Sequence, residues 1–111
     1  MKNLLFVLSF IGSSQIVVAQ KIFSVQYQNQ ADLKVFVVDY SNQADLHVYR
    51  VDYSNQAQDN KGLWFFSDYS NQADTKVFFV DYVNQADLKI FFVDYQNQAG
   101  WVNKTKIYML E

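Results

Sequence analysis

The chain has no cysteine, so neither disulfide staples nor thiol chemistry operates in it. Glycine is scarce: past residue 20 only Gly62 and Gly100 occur. The single histidine, His47, has no recurring Ser or Cys nucleophile near it, and there is no zinc-ligand spacing and no phosphate-cradling glycine loop. Nine basic and eleven acidic residues give a formal charge of −2, which becomes −3 if Lys2 is removed with the leader. A mildly acidic chain without a basic patch is not built for nucleic acid. No membrane span is expected either, because the apolar run from Leu4 to Ile11 is broken by Gly12, Ser13, Ser14 and Gln15, short of the roughly twenty residues a bilayer requires.

That short run follows a basic start at Lys2 and ends in Val17, Val18 and Ala19, the pattern of a secretory signal peptide over residues 1–19. Cleavage is expected between Ala19 and Gln20, leaving one domain, residues 20–111, in the periplasm or outside the cell. At that size only about two thirds of the unfolded surface is buried on folding. Without disulfides, stability must come from packing, and the many Phe and Tyr side chains supply large buried areas.

What is present is repetition. The run YxNQA occurs six times, at Tyr27, Tyr40, Tyr53, Tyr69, Tyr82 and Tyr95, with spacings of 13, 13, 16, 13 and 13 residues. Aligned on it, the preceding units read KIFSVQ, KVFVVD, HVYRVD, LWFFSD, KVFFVD and KIFFVD, and KIYMLE follows at the C-terminus. The two glycines fall in the two extended linkers, where positive φ is useful. Each unit is rich in residues that suit a pleated surface, and thirteen residues are too few for a helix and a strand with their connections. Seven short strands are therefore expected in an all-β domain.

Alternation along a strand puts Phe36, Val38 and Tyr40 on one face and Val35, Val37 and Asp39 on the other. The first face is expected to line the core. Val35, Val48, Trp64, Val77 and Ile90, on the second face, are expected to be partly covered by neighbouring strands. In the linkers, Asn and Asp fit tight corners. The recurring Gln30, Gln43, Gln56, Gln72, Gln85 and Gln98 predict a buried amide satisfying backbone groups of an adjacent repeat.

The tandem pattern VFVVDYSNQADLKVFVVDY resembles the repeat of small bacterial proteins of the septafoil, or seven-crossing torus knot, domain family. The likeness covers essentially the whole chain after the leader. It implies a toroidal all-β domain with a deeply knotted backbone, and no activity comes with it. Gln58, which stands where other linkers have Asp, and the two extended linkers depart from the pattern. A torus knot of seven steps that winds twice round its axis puts strand n beside strands n+3 and n+4. The alternative is an up-and-down antiparallel meander or barrel, in which strand n pairs with n+1.

Asp39, Asp52, Asp68, Asp81 and Asp94 precede the repeat tyrosines, while Asp32, Asp45, Asp74 and Asp87 follow the alanines. Such acidic linkers could hold calcium, but they lack the glycines of calcium loops, and turn capping is the expected role. Lys34, Lys76, Lys89 and Lys106 recur at one position and predict a ring pairing with linker aspartates. Trp64 and Trp101 interrupt the pattern beside the extended linkers; they are expected to fill space there and mark the surface where a glycan would bind. No residue is assigned a catalytic, cofactor-binding or metal role, and no cofactor is expected. The sequence predicts an exported, monomeric structural or interaction domain, not an enzyme. A glycan- or calcium-binding module is the alternative.

Overall fold

The computed structural model describes residues 20–111. The expected leader, residues 1–19, lies outside them. Seven strands form: β1 (Lys21–Ser24), β2 (Leu33–Val37), β3 (Leu46–Arg50), β4 (Leu63–Phe66), β5 (Thr75–Phe79), β6 (Leu88–Phe92) and β7 (Gly100–Trp101). Each repeat linker folds as one turn of 3₁₀ helix, Ser41–Gln43 for example, in which the Gln43 N–H donates to Tyr40 O at 3.0 Å.

The sheet runs β4-β1-β5-β2-β6-β3 and closes through a β3–β4 pairing. All six of these strands are parallel. Five of the six barrel steps join strands n and n+3 or n+4, as the torus spacing predicts: β1 with β4 and β5, β2 with β5 and β6, β3 with β6; the closing β3–β4 step, n to n+1, departs from it. The closed barrel of the alternative reading is present as well, with parallel strands in place of hairpins. Parallel pairing forces every connection to return from strand end to strand start. The returns run outside, so that Gln28–Gln30 packs on β5, Ser41–Gln43 on β6, Val83–Gln85 on β2 and Gln96–Gln98 on β3. Each of these passes over the strand lying between the two it joins.

Neighbours are staggered by two residues, Val35 opposite Leu88 and Val37 opposite Ile90, for instance. Stagger and tilt go together in a closed barrel, and six strands leave a narrow interior. The middle of that interior is filled by Ile22, Val35, Val48, Trp64, Val77 and Ile90, all fully buried. At the strand-start end Gln20, Leu33, Leu46 and Leu88 are buried beneath them. At the strand-end mouth Phe66, Phe79 and Phe92 alternate in barrel order with Ser24, Val37 and Arg50.

The core face is thus the opposite of the expected one. Phe36 and its equivalents Phe23, Tyr49, Phe65, Phe78 and Phe91 point outward and are only half-buried, and the repeat tyrosines are 62–68% exposed. Five Phe and a Tyr in one layer would overfill so narrow a barrel, whereas five β-branched side chains with the single Trp64 fit it. The alternation also breaks at the strand end: Val37 is 39% exposed and Val38 only 6%. Val25, Val38, Val51 and Val80 are buried, as expected, but beyond the strands, where the chain bends into the return.

The seventh unit differs from its expected form. KIYMLE does not make a strand; Lys104–Leu110 is 3₁₀ helix, and the strand is the two-residue Gly100–Trp101 before it. β7 runs antiparallel to the start of β3, with Leu46 opposite Trp101, while the end of β3 pairs with β4. It thereby occupies the β3–β4 side where a seventh repeat belongs. The helix then stops the strand-start end of the barrel: Leu110 is 3% exposed and joins the core, and its carbonyl accepts from Gln20 Nε2 at 2.9 Å.

Candidate functional site

On the outer wall five of the six barrel steps repeat one cross-strand pair, a Phe opposite a Lys or His. Phe65 lies opposite Lys21, Phe23 opposite Lys76, Phe78 opposite Lys34, Phe36 opposite Lys89, and Phe91 opposite His47. The β3–β4 step breaks the rule with Tyr49 opposite Leu63. This pairing is the reason for the recurring lysine. Among the described residues the only side-chain ion pairs are Lys61–Asp59 and Lys106–Asp45, so Lys34, Lys76 and Lys89 make no ring with the linker aspartates. Lys106, expected in the same ring, belongs to the C-terminal helix.

The four aspartates that follow the repeat alanines act on the backbone of neighbouring strands. Asp87 N–H donates to Lys34 O at 2.8 Å while its Oδ2 accepts the Lys34 N–H at 2.9 Å. The same two-point clamp joins Asp32 to Lys76, Asp45 to Lys89 and Asp74 to Lys21. Turn capping is therefore not their role; each carboxylate extends a ladder past the strand start. Gln58 and Gly100 stand where two further clamps would be. The recurring glutamines are also placed differently from expectation. All six are exposed, and Gln56 and Gln98 turn their Oε1 back to the N–H of Tyr53 and Tyr95 in the same turn.

Asp45 is the most constrained acid. It is buried, and burial alone would raise its pKa; the Lys89 N–H, the Lys106 ammonium at 3.2 Å and the Asn103 amide outweigh that and hold it below the ordinary carboxylate value. Its carbonyl also accepts the N–H groups of Val102 and Asn103. These contacts tie the C-terminal segment to β3, which accounts for the depressed pKa by structure alone.

Between neighbouring returns lie shallow grooves built from the outer pairs. One, of ≈ 520 Å³, is lined by His47, Phe91, Asp94 and Gln98; its repeat equivalent, of ≈ 490 Å³, is lined by Phe36, Asp39, Gln43 and Lys89. Each offers an aromatic face, an amide, a carboxylate and a basic or imidazole side chain. His47 Nε2 donates to Ser41 O at 2.9 Å, and its ring meets Phe91 edge-on. Beside the grooves stand the exposed repeat tyrosines. At the mouth the Arg50 guanidinium lies 4.3 Å from the Phe66 ring centre and 5.8 Å from that of Phe92, close enough for a cation–π contact.

The two tryptophans do not form a surface. Trp64 is fully buried in the middle core layer, and half-buried Trp101 donates its Nε1 to Asn60 O at 3.0 Å in the extended linker. Among the described residues no group of three His, Asp or Glu side chains is placed to hold a metal ion, and no helix is long and apolar enough to cross a membrane. The grooves and the exposed tyrosines could be found in the sequence only as a repeat; which residues face one another came from the pairing of strand n with n+3 and n+4.

A closed parallel barrel built from one tandem unit, with returns that each pass over an intervening strand, defines a class of toroidal β-repeat proteins. The chain belongs to the family described as the 7(1) septoil knot domain, whose model matches residues 19–102. The match ends before the C-terminal helix. Comparison with curated proteins and with solved structures gives no match.

Proposed function

We propose that the chain is an exported structural and interaction module, monomeric, whose backbone is a seven-crossing torus knot. The observation behind the interaction role is the set of six repeat tyrosines, all 62–68% exposed. Packing does not require an aromatic at so exposed a position, and an array of like patches suits a partner that is itself repetitive, because linked weak contacts multiply. The returns that pass outside an intervening strand support the knot, together with the family to which the chain belongs.

Serine at all six repeat tyrosines tests the interaction role. Binding to bacterial envelope preparations should fall sharply while the melting temperature holds. Binding that survives the six changes would remove the ridges from consideration. For the knot, cysteines appended before Gln20 and after Glu111 are oxidised in the folded chain. That cross-linked chain, once denatured, should have a smaller hydrodynamic radius than one cross-linked after denaturation; equal radii exclude a knot.

A second reading, glycan binding, is favoured by the grooves of Phe36, Asp39, Gln43 and Lys89 and their repeats rather than by tryptophan. One carboxylate and one cation beside an aromatic face suit a neutral polyol. A neutral oligosaccharide that raises the melting temperature supports this reading.

A further inference from the structure

Gln20 stands at the closed end of the barrel with no exposed surface. Its N–H donates to Ala57 O at 2.7 Å, its carbonyl accepts the Phe65 N–H at 3.0 Å, and its Nε2 donates to Leu110 O. The side-chain Oε1 is buried without a hydrogen-bond partner. Resting on the export reading, with cleavage after Ala19, we propose that Gln20 is a modification site and that the mature chain begins with pyroglutamate.

Cleavage turns the Gln20 backbone nitrogen from a neutral amide into an α-amine, a group with an ordinary pKa of about 7.7–8.0 and so mostly charged at neutral pH. That ammonium would sit against Ala57 O. The carboxylate that bonds the adjacent residue, Asp74, is engaged by the Lys21 N–H on the β5 side. An unpaired buried ammonium is far costlier than the loss of one neutral hydrogen bond.

The glutamine side chain supplies the remedy. The α-nitrogen attacks Cδ, the N–Cδ bond forms, the Cδ–Nε2 bond breaks, and Nε2 leaves as ammonia with a proton from the amine. The product is a neutral five-membered lactam. One N–H remains to donate to Ala57 O, the former Oε1 remains a carbonyl, and the charge is gone. The donor to Leu110 O is lost, a neutral bond exchanged for a buried charge. No oxidant or co-reactant is required, and because Gln20 has no exposed surface in the folded barrel, the ring has to close before folding is complete.

The full chain, expressed with its leader in an exporting bacterial host, is purified from the periplasm and weighed intact. The expected mass is that of residues 20–111 less one ammonia, with the N-terminus blocked to Edman sequencing. A mass equal to open-chain residues 20–111, with glutamine read in the first cycle, overturns the proposal while leaving export intact. A start at any other residue overturns the cleavage reading on which it rests. Gln20→Ala, which has no such ring to close, should keep its amine and melt at a lower temperature than the native mature chain; an unchanged melting temperature counts against the buried-charge argument.

Discussion

Lys106 Nζ reaches Asp45 Oδ2 at 3.2 Å, from the C-terminal 3₁₀ helix to the start of β3, and donates to Asp87 O at 3.0 Å as well. One side chain thereby holds the C-terminal segment across the starts of two neighbouring strands. The Asp45 side chain is 7% exposed and that of Lys106 29%, so the acid is the costlier of the two to alter.

Asp45→Ala leaves the Lys89 N–H and the Lys106 ammonium without their acceptor and should lower stability by about 1–3 kcal/mol; Lys106→Met, which keeps the stem and removes a partly solvated charge, should cost about 1 kcal/mol or less. Urea unfolding of both variants checks the order. The acid also makes stability depend on pH. Its folded pKa is depressed, so its contribution is complete above the unfolded value of about 3.9 and is lost as pH falls through the lower folded value. Acid unfolding of Asp45→Ala should accordingly show a smaller loss below pH of about 4 than the native chain.

The inverted core phase makes a clear mutational contrast. Trp64→Ala empties the middle layer and should cost about 3–5 kcal/mol, whereas Tyr40→Ala, at an exposed ridge, should stay within about 0.5 kcal/mol. Had the tyrosine face been the core, the order would reverse. Thermal melts of the two variants separate the cases.

Gly62 and Gly100 should respond unequally to alanine. A Cβ on Gly62 would stand 2.3 Å from His47 O, at a φ of +85°, so Gly62→Ala must displace β3 or the extended linker and is expected to abolish stable folding. Gly100, at φ +150°, has open space where its Cβ would be. Gly100→Ala should fold with a loss of roughly 1 kcal/mol from backbone strain alone. Circular dichroism at rising temperature measures both.

Asp87→Ala removes the carboxylate half of one two-point clamp on β2, leaving its N–H on Lys34 O, and should destabilise by about 1 kcal/mol, while Gln43→Ala and Gln85→Ala, at exposed turn positions, should each change stability by less than about 0.5 kcal/mol. Equal losses at all three would mean that the turns, not the strand starts, carry the linker energetics.

The tandem unit by itself determined a good deal. Its β-rich hexamers, its thirteen-residue period and its six YxNQA turns were enough for the all-β class, the positions of β1 to β6 and the n+3, n+4 order, the last through the family resemblance. These follow from local propensity and from repetition, which one strand's sequence carries. Tertiary structure decided the rest. Which face of Val35–Phe36 turns inward depends on the radius of the closed barrel, because a narrow interior holds a layer of Val and Ile with one Trp64 but not a layer of five Phe and a Tyr. The partners of Asp87 and Lys34 lie 53 positions apart, beyond any local signal. KIYMLE has the letters of a strand but reaches the barrel where β3 already pairs with β4 and β7, so no free edge remained and it folded as the helix that closes the end.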